Sequence, residues 1–292
     1  MCRQRLVRPL WLACTVSATF ACGRRDAPPP DSLAIKPSTI AVASAPTDWV
    51  SELGELFVVP SDSENTGVVI FPATPSPRLV GSAPLTLLTT SGDSAAVRAS
   101  LVVSDSQVCG EAPTIRLPDG VSSTWSVGLR ARAAAPIRMD SIEALPSADS
   151  ARFAADLARL ASAQPTTRDS RFAGLPFVVL SARRFEVRGQ GIVVAHLVRR
   201  LPQEATPLEE HSLVIAERPA SAPNSPYSVT YYQRSEGTEE TADHYEVLSA
   251  IRGTETTFLL LTRDQEARTS YEILERAKSG GWRIRWARTL AC

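Results

Sequence analysis

Ser270-Tyr271-Glu272-Ile273-Leu274-Glu275-Arg276-Ala277-Lys278-Ser279-Gly280-Gly281-Trp282-Arg283-Ile284-Arg285-Trp286 is the stretch whose reading decides the fold class. Lys278-Ser279-Gly280-Gly281 has the chemistry of a turn, with glycines that take backbone angles other residues avoid. After it, Trp282, Ile284 and Trp286 alternate with Arg283 and Arg285. A period of two places the three large apolar side chains on one face of a strand and the guanidinium groups on the other. Glu272 and Arg276, before the turn, are expected to pair with that polar face.

Working backward, segments of the same kind lie at 175–183, 191–200, 212–218, 227–234, 244–252 and 256–263, followed by the two arms at 270–277 and 282–290. Short connections between them suit an antiparallel meander, closed as a barrel, stacked as a sandwich or arranged as propeller-like blades. Gly189-Gln190-Gly191 is too little glycine for a phosphate cradle and reads as a hairpin turn. His244-Tyr245-Glu246-Val247-Leu248 and Ser270-Tyr271-Glu272-Ile273-Leu274 resemble one another. A duplicated hairpin explains this, and so does chance similarity between two amphipathic strands.

The first half carries strand candidates at Leu56–Val59, Gly67–Phe71, Leu85–Thr89, Ala96–Val103 and Ser123–Arg130, separated by Ser, Asp, Asn, Pro and Gly. One helix is expected from Ala148 to Ala163, with Ser147 or Asp149 as N-cap and Pro165 as its stop. Phe153, Leu157 and Leu160 fall on one face, and Arg152, Asp156 and Arg159 on another, so the helix should pack on a sheet or bridge two. The expected fold is mainly β (α+β): a small N-terminal β region (47–140), one connecting amphipathic helix (141–168) and a C-terminal antiparallel β meander (169–292).

At the other end, Arg3, Arg5 and Arg8 precede an apolar run from Leu10 to Cys22 that is too short to span a bilayer. Thr19-Phe20-Ala21-Cys22-Gly23 resembles a bacterial lipobox, and on these residues the chain is similar to bacterial lipoproteins. Ala21 and Cys22 match the pattern, while Thr19 and Phe20 stand where the family prefers an aliphatic and a small residue. A competing cysteine, Cys14 after Leu12-Ala13, leaves a shorter apolar run. The resemblance implies a signal peptide at 1–21, lipidation of Cys22, and a chain exported and anchored by lipid in the periplasm or at the cell surface, with the lipid bilayer as partner. Residues 22–46, with Pro28-Pro29-Pro30, Pro37 and Pro46, read as a Pro/Ala/Ser-rich tether.

Removing residues 1–21 takes away three arginines and no acids, so a balance of 31 basic and 31 acidic residues becomes 28 and 31. A near-neutral chain lacks the basic surplus that nucleic-acid binding requires. Of five cysteines, Cys2 and Cys14 belong to the expected signal peptide and Cys22 to the anchor, leaving Cys109 and Cys292. In an oxidising compartment that pair suggests a disulfide, with two unrelated thiols as the other reading. The bridge would close a loop of 292 − 109 = 183 positions. Loops of that size are worth roughly 5 kcal/mol in the chain-entropy description, before native strain is deducted.

Catalytic motifs are missing: no Gly-x-Ser-x-Gly elbow, no His-Glu-x-x-His, no phosphate loop and no dinucleotide fingerprint. His196, His211 and His244, in or beside expected strands, can converge in space, and Glu209-Glu210 precede His211, so a metal site is chemically open; ordinary strand residues are the preferred reading. Glu236, Glu239, Glu240 and Asp243 offer oxygen ligands without calcium-loop spacing and read as a solvated hairpin tip. Nothing singles out a serine for a triad, and Cys109 as nucleophile would need a free thiol. Trp282 and Trp286, flanked by arginines, are the candidate ligand-facing aromatics, with core packing preferred. No catalytic residue, metal or cofactor is assigned. The preferred function is a non-enzymatic binding or structural role in the envelope, with a protein, a glycan or a small molecule as partner; an exported hydrolase with an unrecognised site is the alternative.

Overall fold

A computed structural model describes residues 49–54, 57–61, 65–70, 82–102, 114–121, 124–130, 135–165, 171–201, 207–265 and 268–291, all within the compact unit Ser38–Cys292. The fold is mainly β, its sheets are antiparallel, and one α-helix accompanies them. The first six strands are β1 (Phe57–Pro60), β2 (Thr66–Ile70), β3 (Ser82–Thr89), β4 (Ser94–Val102), β5 (Thr114–Arg116) and β6 (Trp125–Leu129). They close into a barrel in the order β1-β2-β5-β4-β3-β6, with Val58, Leu87, Ile115 and Trp125 among the residues of one buried cluster. Closure gives every strand of the barrel a neighbour on both sides, so none is an edge strand.

Two short strands follow, β7 (Ala135–Ile137) and β8 (Asp140–Ser141), then helix α1 (Ser147–Ser162). The remaining strands are β9 (Val178–Val187), β10 (Gln190–Leu201), β11 (Leu208–Pro219), β12 (Ser228–Thr238), β13 (His244–Arg252), β14 (Thr257–Gln265), β15 (Arg268–Arg276) and β16 (Trp282–Ala291). All eight expected meander segments are therefore strands. They split into two sheets of five: β16-β15-β14-β13-β7, called here the first sheet, and β12-β11-β10-β9-β8, the second. β7 and β8 lie two residues apart in sequence yet pair with β13 and β9, so the chain passes from the edge of one sheet to the edge of the other at Arg138-Met139.

Burial shows how the layers stack. Ile192, Val194, Leu213 and Ile215 of the second sheet share a cluster with Ala250, Leu259, Leu261 and Leu274 of the first, so the two sheets pack face to face. The other face of the first sheet, with Ile251, Phe258, Leu260 and Ile273, is buried against the barrel through Val68, Ile70, Leu88 and Leu129. The other face of the second sheet, with Val193, Ala195, Val214 and Ala216, packs on Leu157 and Ala161 of α1. The order is barrel, first sheet, second sheet, helix. Covering both faces explains why Ile192–Arg199 and Glu209–Glu217 are buried without alternation, whereas a half-exposed antiparallel strand alternates.

The local devices are identifiable. Arg188-Gly189 joins β9 to β10 with positive φ at both residues (52° and 72°), the backbone of a type I′ turn. Gly92, in the β3–β4 turn (φ 94°), lies so close to the chain that a Cβ there would stand 2.6 Å from Arg138 Cα. Ser126 is an extra residue in β6 and Leu248 an extra residue in β13. The two bulges face each other across the barrel interface, where Ser126 Oγ donates to the Leu248 carbonyl at 2.6 Å. A bulge frees a backbone group from the ladder, and here it is used as a cross-layer hydrogen bond.

Two expectations are corrected. α1 begins at Ser147 with Pro146 at the N-cap and no side-chain cap, so neither Ser147 nor Asp149 plays that part. The two similar pentapeptides are not equivalent in space. Tyr245 lies between the two sheets, whereas Tyr271 faces the barrel, and Glu246 is exposed where Glu272 is buried. Opposite facing excludes a superposable duplicated hairpin and leaves chance similarity of two amphipathic strands.

Candidate ligand-binding groove

The expected aromatic pair is taken apart by a single residue. Opposite Ile273 and Leu274, β16 offers Trp286 and Ile284, so Arg285 is an extra residue and the period of two is reset. Trp282 (4% exposed) therefore lies between the two sheets and Trp286 (5% exposed) on the barrel side, edge-on to Trp49 at 5.1 Å. The shared face expected from the alternation is thus corrected, and both rings are buried. Glu272 and Arg276 do not meet the arginines of β16. Glu272 takes Arg263 at 3.1 Å, and Arg276 reaches across to Glu217 of the second sheet at 2.9 and 2.6 Å. Trp282 Nε1 donates to the same Glu217 carboxylate at 2.8 Å, so this indole serves to hold a buried acid.

The three histidines, from β10, β11 and the start of β13, converge at the other end of the inter-sheet space. His196 Nε2 lies 2.8 Å from His211 Nδ1, His211 Nε2 lies 2.6 Å from Glu209 Oε2, and the His244 ring is 4.4 Å from that of His211. A carboxylate only accepts, so His211 donates from Nε2, and neutral His211 then accepts at Nδ1 from His196. Burial, helped by repulsion from His211 and His244, pulls His196 down to about 3, and burial also lowers His211 against the pull of Glu209. Burial raises the Glu209 carboxyl, but hydrogen bonds from His211 and Arg200 outweigh it and hold it below the usual carboxylate range. His244 bonds to the Glu239 carbonyl at 2.8 Å. Among the described residues, the side chains that His196 and His211 hydrogen-bond are one another and Glu209, and the Tyr245 ring meets that of His196 edge-on at 5.5 Å. No group of three or more His, Cys, Asp or Glu among the described residues is arranged to hold a metal ion.

In the acidic loop, Glu239 and Glu240 are exposed, but Asp243 is buried, with Gln265 donating at 2.5 Å and Tyr245 and Arg263 close by. Cys22, Cys109 and Cys292 lie outside the described residues.

In a cavity of about 430 Å³ at the hairpin ends the charged groups are paired, Lys278 with Glu255 at 2.6 Å and Arg276 with Glu217, while Thr257 Oγ1 has no partner among the described residues. Another cavity, of about 520 Å³, runs between α1 and the second sheet. Its floor carries Arg184 from β9 and Arg218 from β11, both on the helix side by strand alternation from Ala182 and Ala216. The Arg218 stem lies over Gly191, at ordinary contact distance (3.8 Å) from where a Cβ would stand. The Arg218 guanidinium lies 4.4 Å from the centre of the Tyr227 ring, which meets Phe153 of α1 edge-on at 5.6 Å. Burial pushes the Tyr227 phenol up, against the two arginines, which keeps it a donor. Arg184 Nε is buried and has no hydrogen-bond partner among the described residues. Leu145, Leu157 and Leu160 add apolar wall.

Its residues come from β9, β11, α1 and the turn before β12, so no local stretch of sequence signals this groove. Comparison of the chain with protein-family models, curated proteins and solved structures gave no match.

Proposed function

We propose that this is an exported protein held at an envelope membrane by lipid on Cys22, and that its β-rich domain works there by binding a ligand in the groove between α1 and the second sheet. The groove carries the binding half of this reading: a cavity of small-molecule size in which Arg184 Nε is desolvated and unpartnered. Buried polar groups are as a rule hydrogen-bonded, and of the six buried side-chain atoms without a partner among the described residues, Arg184 Nε is the one that belongs to this groove. The address rests on Arg3, Arg5, Arg8, the apolar run and Ala21-Cys22. Under the same proposal Cys109 and Cys292 form a disulfide, joining the C-terminus to the barrel-forming half of the chain.

Metabolic labelling with a fatty-acid analogue tests the anchor: the wild type takes up label and Cys22→Ala does not. Equal labelling of both removes the anchor. Mass mapping under non-reducing conditions is expected to find a Cys109–Cys292 peptide pair, and two free thiols would exclude the bridge.

A further inference from the structure

We propose that the groove takes a small amphipathic organic acid, its carboxylate held by Arg184 and Arg218 and its apolar part lying against Phe153 and Tyr227. This rests on reading the groove as a ligand site and adds the ligand's chemistry. The lining contains four arginines (152, 159, 184 and 218) and two aspartates (149 and 156), a surplus of two positive charges. The aspartates are used on the helix itself, Asp149 with Arg152 at 2.9 Å and Asp156 with Arg159 at 3.1 Å. Among the described residues, Arg184 and Arg218 have no carboxylate within ion-pair distance. The surplus therefore sits on the floor, beneath an aromatic and aliphatic wall.

A guanidinium presents its N–H groups as a planar fork that fits a carboxylate with two parallel hydrogen bonds. A carboxylate entering the groove gives the buried Arg184 Nε the acceptor it lacks. The Tyr227 hydroxyl is a further donor at the same place. An aromatic apolar part would then add to the Phe153–Tyr227 edge-to-face arrangement, where aromatic contacts carry favourable geometry as well as buried area. A polar anion without an apolar part leaves that wall uncovered.

The experiment uses the full-length chain with two probes, 4-phenylbutyrate and its uncharged primary amide, titrated by calorimetry or by NMR shifts at the groove. The acid is expected to bind, and the amide to bind at least about tenfold more weakly, the usual worth of a charge-assisted pair. Arg184→Met and Arg218→Met should each weaken the acid by a similar factor, while Arg98→Gln, exposed on β4 of the barrel, leaves it unchanged. Equal binding of acid and amide overturns the charge selection but leaves the groove as a ligand site. Binding of neither overturns both. Arginine variants that keep the wild-type circular dichroism and bind the acid as tightly as wild type overturn the assignment of residues. If those variants fail to fold, the acid and amide on the wild type decide alone.

Discussion

The helix-facing side of the second sheet carries arginines of two kinds. Arg199 on β10 is 3% exposed and complete: Nε and one terminal nitrogen donate to Glu210 at 3.1 and 3.0 Å, Arg234 approaches the same carboxylate at 3.6 Å, and Phe177 lies 4.6 Å from the guanidinium carbon. Arg184 and Arg218, on the same face, line a cavity, Arg218 lies over Tyr227, and neither has a carboxylate within ion-pair distance among the described residues. One residue type in one layer is thus in one place part of the fold and in the other an unfinished arrangement. The difference lies in where the neighbouring acid is engaged: β11 presents Glu210 opposite Arg199 and bonded to it, whereas Arg218 stands opposite Gly191, and Arg184 stands between Val193 and Asp140, whose carboxylate takes Arg138 at 3.2 Å.

Breaking the closed arrangement should have the largest effect. Glu210→Gln leaves Arg199 buried and unpaired, and we expect a loss of about 3–5 kcal/mol in urea unfolding. The double change Arg199→Met with Glu210→Leu should recover most of it, since well-packed apolar residues replace buried ion pairs without comparable cost.

The reverse face of the same two strands sharpens the contrast through pH. His196 has a folded pKa of about 3, below its unfolded value of 6.5, so the unfolded chain binds the proton first as pH falls. The contribution is complete above pH 6.5 and is lost progressively toward pH 3. Between pH 7 and 5 the wild type should lose about 2 kcal/mol from this group, with His211 adding in the same direction. His196→Phe should flatten the stability profile in that window, and an unchanged slope would remove His196 from it.

Opening the unfinished arrangement further should cost little. Arg218→Met removes no ion pair, and we expect its unfolding free energy to stay within about 1 kcal/mol of wild type. A loss as large as that of Glu210→Gln would mean that Arg218 is a structural residue. Smallest of all, Asp149→Asn breaks an exposed helix pair and should change stability by about 0.3 kcal/mol.

The meander was legible because its signal is local: eight apolar segments at short intervals, a turn after each, and one helix with an apolar face. What stayed illegible depends on contacts between segments. Arg285 looks like one more polar position in an alternating strand, and only pairing with β15 shows that it is extra and that Trp282 and Trp286 part company. Glu209 and Glu210 are adjacent and alike in sequence, but alternation sends one to the histidines and the other to Arg199. β5, β7 and β8 are two or three residues long and carry too little pattern to be read. The groove has no local signature, since each strand contributes one arginine and the rest is helix and loop.

The most direct test of the contrast is the thermal midpoint of the full-length chain with and without saturating 4-phenylbutyrate, measured for wild type and for the double variant Arg184→Met with Arg218→Met. A ligand that binds only the folded state raises the midpoint. We expect a rise in the wild type that disappears in the double variant. A midpoint unmoved in the wild type, or raised equally in both, would contradict an open anion site beside the closed one.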